Sequence, residues 1–247
     1  MNDIADEMLP LLQSGRVEIE GLLPWSSNYA FLVRVCDGPR EVGAVYKPQR
    51  GERPLWDFPQ GTLCMREQAA FVISRALGWH IIPPTVLREA QHGLGTVQLF
   101  IDHDPARHYF TIEGQAAMRP QLQRMVLLDV LINNADRKAG HVLIDQKEEA
   151  AAGRLWGIDH GICFHVDAKL RTVIWEFGGT PIPAALKADL AALRRRLDDP
   201  GDPLPTTLVE LLSPAEIEAL GYRLSRLIDR TNFPKPGAGR HYPWPPV

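Results

Sequence analysis

The sequence predicts an α+β fold with a small β-rich N-terminal lobe and a mainly helical C-terminal lobe. Strand-like runs crowd the chain up to Ile101, helical apolar spacing takes over from Gln121, and the sequence turns polar between them, beyond Asp102. At 247 residues, 45% hydrophobic and 23% charged, the chain is long enough for one two-lobed domain or two small ones. The divisions expected are a lobe over 1–101, a second over 102–232 and a tail over 233–247, with the lobe boundary near 101–105.

Tyr29–Val35 and Val42–Lys47 are strand-like runs rich in β-branched and aromatic residues, and Asp37-Gly38-Pro39 between them supplies turn residues that predict a β-hairpin. The preceding Gly21–Asn28 reads as a loop of small and polar residues, with Ser26, Ser27 and Asn28 placed to offer backbone N–H groups to phosphate oxygens. Arg66–Leu77 is an amphipathic helix with Ala69, Val72, Ile73, Ala76 and Leu77 on one face, stopped by Gly78. Ile81–Arg88, a turn at His92–Gly95 and a strand over Thr96–Ile101 follow. Gln121–Ile132 is a mostly apolar helix. Beyond it, Leu186, Leu190, Leu193 and Leu197 space a helix ending in Arg194-Arg195-Arg196, which suit its C-terminus. Pro200–Pro205 reads as a linker. Ser213-Pro214-Ala215-Glu216 is a capping box opening a helix through Ile228, and Phe233–Val247 is an irregular Pro/Gly-rich strap.

Composition narrows the function. A formal charge of −3 and a pI near 6.2 give no basic field for nucleic acid or an anionic membrane. Cys36, Cys64 and Cys163 form neither a metal-type pair nor an even disulfide set, and suit a reducing cytoplasm. The N-terminus is acidic, and no long apolar run occurs, so the expectation is a soluble cytoplasmic protein without membrane insertion.

The chemistry concentrates in two runs. Leu127–Lys138 carries Asp136-Arg137 at the end of an apolar helix, and Gly157-Ile158-Asp159-His160-Gly161 follows a strand. Two carboxylates delivered at separate points suit phosphoryl transfer: Asp136 as the base that orients an attacking hydroxyl, Asp159 as the ligand of a Mg²⁺ or Mn²⁺ on the nucleotide phosphates. The plainer reading makes Asp136 a turn residue and Asp159 a strand-end cap. Lys47, at the end of its strand, reaches nucleotide phosphates or is a solvated strand-end lysine. Glu67 pairs with Lys47 or answers the helix dipole in a first turn.

The order of these parts resembles the atypical kinases related to phosphatidylinositol 3- and 4-kinases, most closely the compact type II phosphatidylinositol 4-kinases. It is similar more distantly to the secretory-pathway casein kinases and the HipA toxin kinases, and to kinase-like proteins of actinobacterial type. The resemblance lies in Val45–Pro48, in Arg66–Gly78 with Ile82–Thr85, in Val97–Phe100, and in Leu131–Arg137 with Ile158–Gly161. It implies a two-lobed kinase-like fold with ATP as cofactor. It also implies that Lys47 is held by Glu67 on the phosphates, that Gln98, Leu99, Phe100 and Ile101 line the adenine site, that Asp136 is the catalytic acid/base and that Asp159 binds the metal.

One departure stands out. Where such kinases place an asparagine as second metal ligand, this chain has His141, which binds metal with a bias toward Mn²⁺ or else caps its loop. No cysteine-rich insertion or polybasic patch marks a lipid kinase, so a protein or small-molecule acceptor is favoured over lipid. The alternatives are an ATP-binding module with little or no turnover, AMP transfer, and a metal-dependent hydrolase built on His103, Asp104, His108, His141, Asp159, His160 and His165.

Overall fold

The computed structural model describes residues 4–23, 28–145 and 153–247. Its first part is a five-stranded antiparallel sheet built from β1 (Arg16–Leu22), β2 (Phe31–Asp37), β3 (Arg40–Pro48), β4 (Thr85–Ala90) and β5 (Gly93–Leu99). The order is β1-β2-β3-β5-β4. The β2–β3 hairpin forms at Asp37–Pro39 as its turn residues require. Alternation along β3 sends Ala44 and Tyr46 into a core with Val33, Val97 and Val86, where Leu11 and Leu12 of helix α1 (Ile4–Ser14) cover them. Val45 and Lys47 therefore face the other side of the sheet.

That side is met by α2 (Leu63–Ala76), between β3 and β4. The helix begins earlier than its apolar spacing suggests, so Glu67 lies in the second turn instead of the first. Its N-terminus is served instead by Glu52, whose carboxylate accepts from the N–H groups of Leu63 (3.1 Å) and Cys64 (2.8 Å). Gly78, at φ +68°, ends the helix in the left-handed conformation that a side chain would disfavour.

Short α3 (Tyr109–Ile112) leads to α4 (Arg119–Ile132), then to the hairpin β6 (Val142–Asp145) and β7 (Arg154–Gly157), and to α5 (Ala184–Asp198), α6 (Pro203–Leu211) and α7 (Pro214–Asp229). Ala69 and Ile73 of α2 share one apolar cluster with Leu128 of α4, Leu190 of α5, Leu208 of α6 and Leu224 of α7. A sheet-rich first part and a helical second part give the expected α+β architecture.

Several expectations need correction. The α1 helix and β1 fall where no element is expected. The hairpin turn before β5 sits at Gln91-His92, before Gly93. Pro200–Pro205 is no linker: Asp202 caps α6 through the Leu204 N–H at 2.9 Å, and Pro203 occupies N1, where its missing N–H costs nothing. Arg196 does more than answer a helix end, since it pairs with Asp202 and donates to the Ala76 carbonyl of α2. The Ser213–Glu216 capping box forms as its sequence specifies. The strap from Phe233 runs irregularly, and its Pro246 carbonyl accepts from Ala139 N–H at 2.8 Å.

Candidate active site

Lys47 leaves β3 opposite Thr96 of β5. Its ammonium lies 2.7 Å from Glu67 Oε1 and 3.1 Å from Asp159 Oδ1. Glu67 is buried and also accepts from the Thr96 hydroxyl at 3.3 Å. The sheet, α2 and the segment after β7 thus converge on one ammonium. Burial works against charging Lys47, but the carboxylates of Asp159 and Glu67 override it and raise its pKa.

Asp159 follows β7 at φ +61°, a left-handed conformation an aspartate tolerates and that turns its carboxylate toward Lys47. The Lys47 charge holds that carboxylate, whose side chain is 50% exposed, well below the usual range. On its other side, Asp159 Oδ2 is 3.3 Å from His141 Nε2.

Asp136 sits on the loop that α4 delivers. Asn133 ends that helix at φ +54°, and Asn134 accepts from the Asp136 N–H at 2.9 Å while its amide donates to Asp129. Lys138 Nζ is 3.3 Å from Asp136 Oδ2. Burial raises the Asp136 pKa to about 6; Lys138 opposes this and the Asp159 charge adds to it. His141 links Asp159 to the backbone of the Asp136 loop, because its Nδ1 is 2.9 Å from the Asp136 carbonyl oxygen. A carbonyl only accepts, so Nδ1 carries the proton. Burial, opposed by the Asp159 charge, lowers its pKa to about 4; the ring is neutral, and Nε2 presents a lone pair to Asp159.

Arg137, fully buried, fixes both loops. Its guanidinium chelates Asp129 at 2.9–3.1 Å, donates to the carbonyls of His141 and Ile158 at 3.1 Å each, and meets His160 Nε2. Gly157 leaves room for it, since a Cβ there would lie 3.2 Å from Nη2. Arg66, beside Glu67, is equally buried: it donates to the Cys163 carbonyl at 2.9 Å and pairs with Glu216 of α7, which locks α2 to the helical part. Sequence reasoning gave neither arginine a role, because their partners lie on other elements and leave no periodic trace.

The remaining site candidates are placed as follows. The Gln98 amide is buried and donates to Thr85 Oγ1 at 2.8 Å. Leu99 and Ile101 are buried, whereas Phe100 is 40% exposed. Asn28 Oδ1 accepts from the Arg53 N–H at 2.9 Å. Ser26 and Ser27 lie outside the described residues. Among the described residues, no group of three or more His, Cys, Asp or Glu side chains converges as a metal set. None of the described helices is long and apolar enough to cross a membrane.

A lysine clamped by a helix glutamate, facing one carboxylate beside a second on a neighbouring loop, is an arrangement that can hold phosphates and align a hydroxyl. No family model matches the chain. The fold is similar to the Golgi casein kinase crystallised with Mn/ADP bound, with TM-score 0.57 at 15% identity over 92% of this chain and 75% of that one. It is also similar to the Helicobacter pylori proinflammatory kinase CtkA, with TM-score 0.53 at 12% identity over 89% and 94%. These neighbours establish the kinase-like fold. A rice protein, phosphatidylinositol 4-kinase gamma 4, is 30% identical over 42% of this chain and 20% of its own length. Protein Rv2133c of Mycobacterium tuberculosis is 36% identical over 98% of this chain and 96% of its own. The chain therefore belongs to the family of Protein Rv2133c, built on a kinase-like fold.

Proposed function

We propose that the chain is an ATP- and divalent-metal-dependent phosphotransferase of the atypical-kinase type, acting on a hydroxyl acceptor, with protein or small molecule favoured over lipid. The observation that carries this reading is the convergence of Glu67, Lys47 and Asp159 from three elements, with the Asp136 loop joined to them through His141. The Mn/ADP-bound casein kinase of similar fold supports a nucleotide and a divalent cation; the short match to a phosphatidylinositol 4-kinase supports a distant relation to that group.

The donor set fits a cation. A neutral imidazole Nε2 3.3 Å from a carboxylate oxygen forms a nitrogen–oxygen donor pair of the kind that binds a divalent ion. Asp159 and His141 would hold Mg²⁺ or Mn²⁺, which would neutralise charge on the nucleotide phosphates. Lys47, fixed by Glu67, contacts the α/β-phosphates. The stretch Gln98 to Ile101 lines the adenine, at the expected junction of lobes 1–101 and 102–232. Asp136 would accept the proton of the acceptor hydroxyl as its oxygen attacks the γ-phosphorus of ATP, whose bond to the β-phosphate oxygen breaks to release ADP, and Lys138 keeps the carboxylate oriented.

Titration calorimetry with Mn²⁺ and ATP tests the metal assignment. Asp159→Ala is expected to abolish metal-dependent nucleotide affinity, and equal affinity in the variant and the parent protein would refute it.

A further inference from the structure

Around the Asp136 loop the cations come with carboxylate partners. Lys47 has Glu67 and Asp159, Arg137 has Asp129, Lys138 has Asp136 and Lys169 has Asp57. Arg223 donates instead to the carbonyls of Leu131 and His165. Among the described residues the Arg171 guanidinium has neither an ion pair nor a hydrogen-bond acceptor, and its Nε is buried without a partner. Yet its backbone is fixed against the catalytic loop: its N–H donates to the Asn134 carbonyl at 2.9 Å, and its carbonyl accepts from the Arg137 N–H at 3.0 Å. These two bonds, beside the parallel bridge between Arg137 and Thr172, set the Arg171 backbone against the segment that carries Asp136. Burial raises the Asp136 pKa, and the charges of Lys138 and, to a lesser degree, Arg171 oppose it.

A second unspent group lies on the next residues. The Thr172 N–H donates to the His241 carbonyl at 3.1 Å, and His241 Nδ1 is also buried without a partner. A buried, unpaired guanidinium N–H costs stability unless a ligand or water satisfies it, and a guanidinium fork matches the geometry of carboxylate and phosphate.

We propose that Arg171 binds an anionic group, phosphate or carboxylate, carried by the hydroxyl acceptor itself. The inference rests on the phosphotransferase reading, which assigns the nucleotide phosphates to Lys47 and Asp159 and leaves Arg171 for the second substrate. Because the Arg171 backbone is paired with the segment that carries Asp136, the anionic group and the reacting hydroxyl belong to one compact acceptor, either a small polyol phosphate or hydroxy acid or the same chemistry in a lipid headgroup.

The test has two arms. In ¹⁵N-labelled protein, the Arg171 Nε–Hε resonance is followed during titration with inorganic phosphate, with chloride at matched ionic strength as control. A saturable shift specific to phosphate is expected, and a response no larger than that to chloride overturns the proposal. In the second arm, ATP and Mn²⁺ are supplied with a soluble polyol phosphate, with its unphosphorylated polyol, or with vesicles containing phosphatidylinositol. Transfer should favour a phosphate-bearing acceptor, and which of the two reacts identifies the source. Inorganic phosphate should compete with that acceptor, and Arg171→Met should raise its KM by ~10–100-fold with the KM for ATP unchanged, the loss expected for a charge-assisted hydrogen bond. Competition with ATP, or an effect of the substitution on ATP alone, would place Arg171 on the nucleotide and overturn the proposal. Absence of metal-dependent ATP binding in the parent protein would instead remove the phosphotransferase reading, while the resonance titration still decides whether Arg171 holds an anion.

Discussion

Replacing Arg137 with methionine probes fold and site together. The guanidinium and the Asp129 carboxylate are both fully buried, at 0% exposure, and chelated at 2.9–3.1 Å. The substitution leaves Asp129 with the Asn134 amide at 2.9 Å and the Thr172 hydroxyl at 3.3 Å. Removing one partner of a buried pair costs about 3–5 kcal/mol, because the other charge stays buried and uncompensated. Against the total of roughly 5–15 kcal/mol typical of a folded domain, that is a large share. In urea titrations at neutral pH, Arg137→Met should lose that amount. The double variant Asp129→Asn/Arg137→Met should recover about 2 kcal/mol of it, since the stranded charge is gone. The carbonyls of His141 and Ile158 also lose their donor, so Mn²⁺-ATP affinity should fall further than in a variant equally destabilised elsewhere. A loss below about 1 kcal/mol in the single variant, at unchanged m-value, would refute the claim that Arg137 compensates a buried charge.

Activity should depend on pH through Asp136. Its folded pKa, raised to about 6, means the base is protonated below that value, so kcat/KM should rise with pH through about 6 and then level. His141, lowered to about 4, is already neutral there and adds no limb. A limb near 6.5 that vanishes in His141→Asn would contradict this order. The raised Asp136 pKa also means that its own contribution disfavours the fold above about pH 4, where the unfolded carboxylate ionises freely, and ceases to do so as pH falls through that range. The Glu67→Gln substitution removes the charge at 2.7 Å from Lys47, and should raise the KM for ATP while lowering kcat by about 10-fold or more. Unchanged steady-state constants would detach Glu67 from the nucleotide.

Legibility differed by region. The β2–β3 hairpin, α2, α4 and the capping box of α7 were readable because periodicity and turn chemistry are local. The α6 helix was misread as a linker because its N-cap Asp202 and N1 proline have the composition of a loop, and both are also what a helix start needs. Helix α1 and β1 were missed. At the site, Lys47, Glu67, Asp136, His141 and Asp159 were named as candidates from the sequence, and the fold brings them into one linked set. Arg66, Arg137 and Arg171 acquire meaning only from partners far along the chain, as in the pairing of Arg66 with Glu216, and no window of sequence contains such a pair.

The most direct test is ³¹P NMR of the protein with ATP and Mg²⁺ or Mn²⁺, with and without a soluble cell extract, using Asp136→Ala as control. The account predicts ADP and a new phosphorylated species from the parent protein, falling about 10²–10⁴-fold in rate in the variant while ATP still binds. AMP or pyrophosphate as product, or equal rates in both proteins, would contradict it.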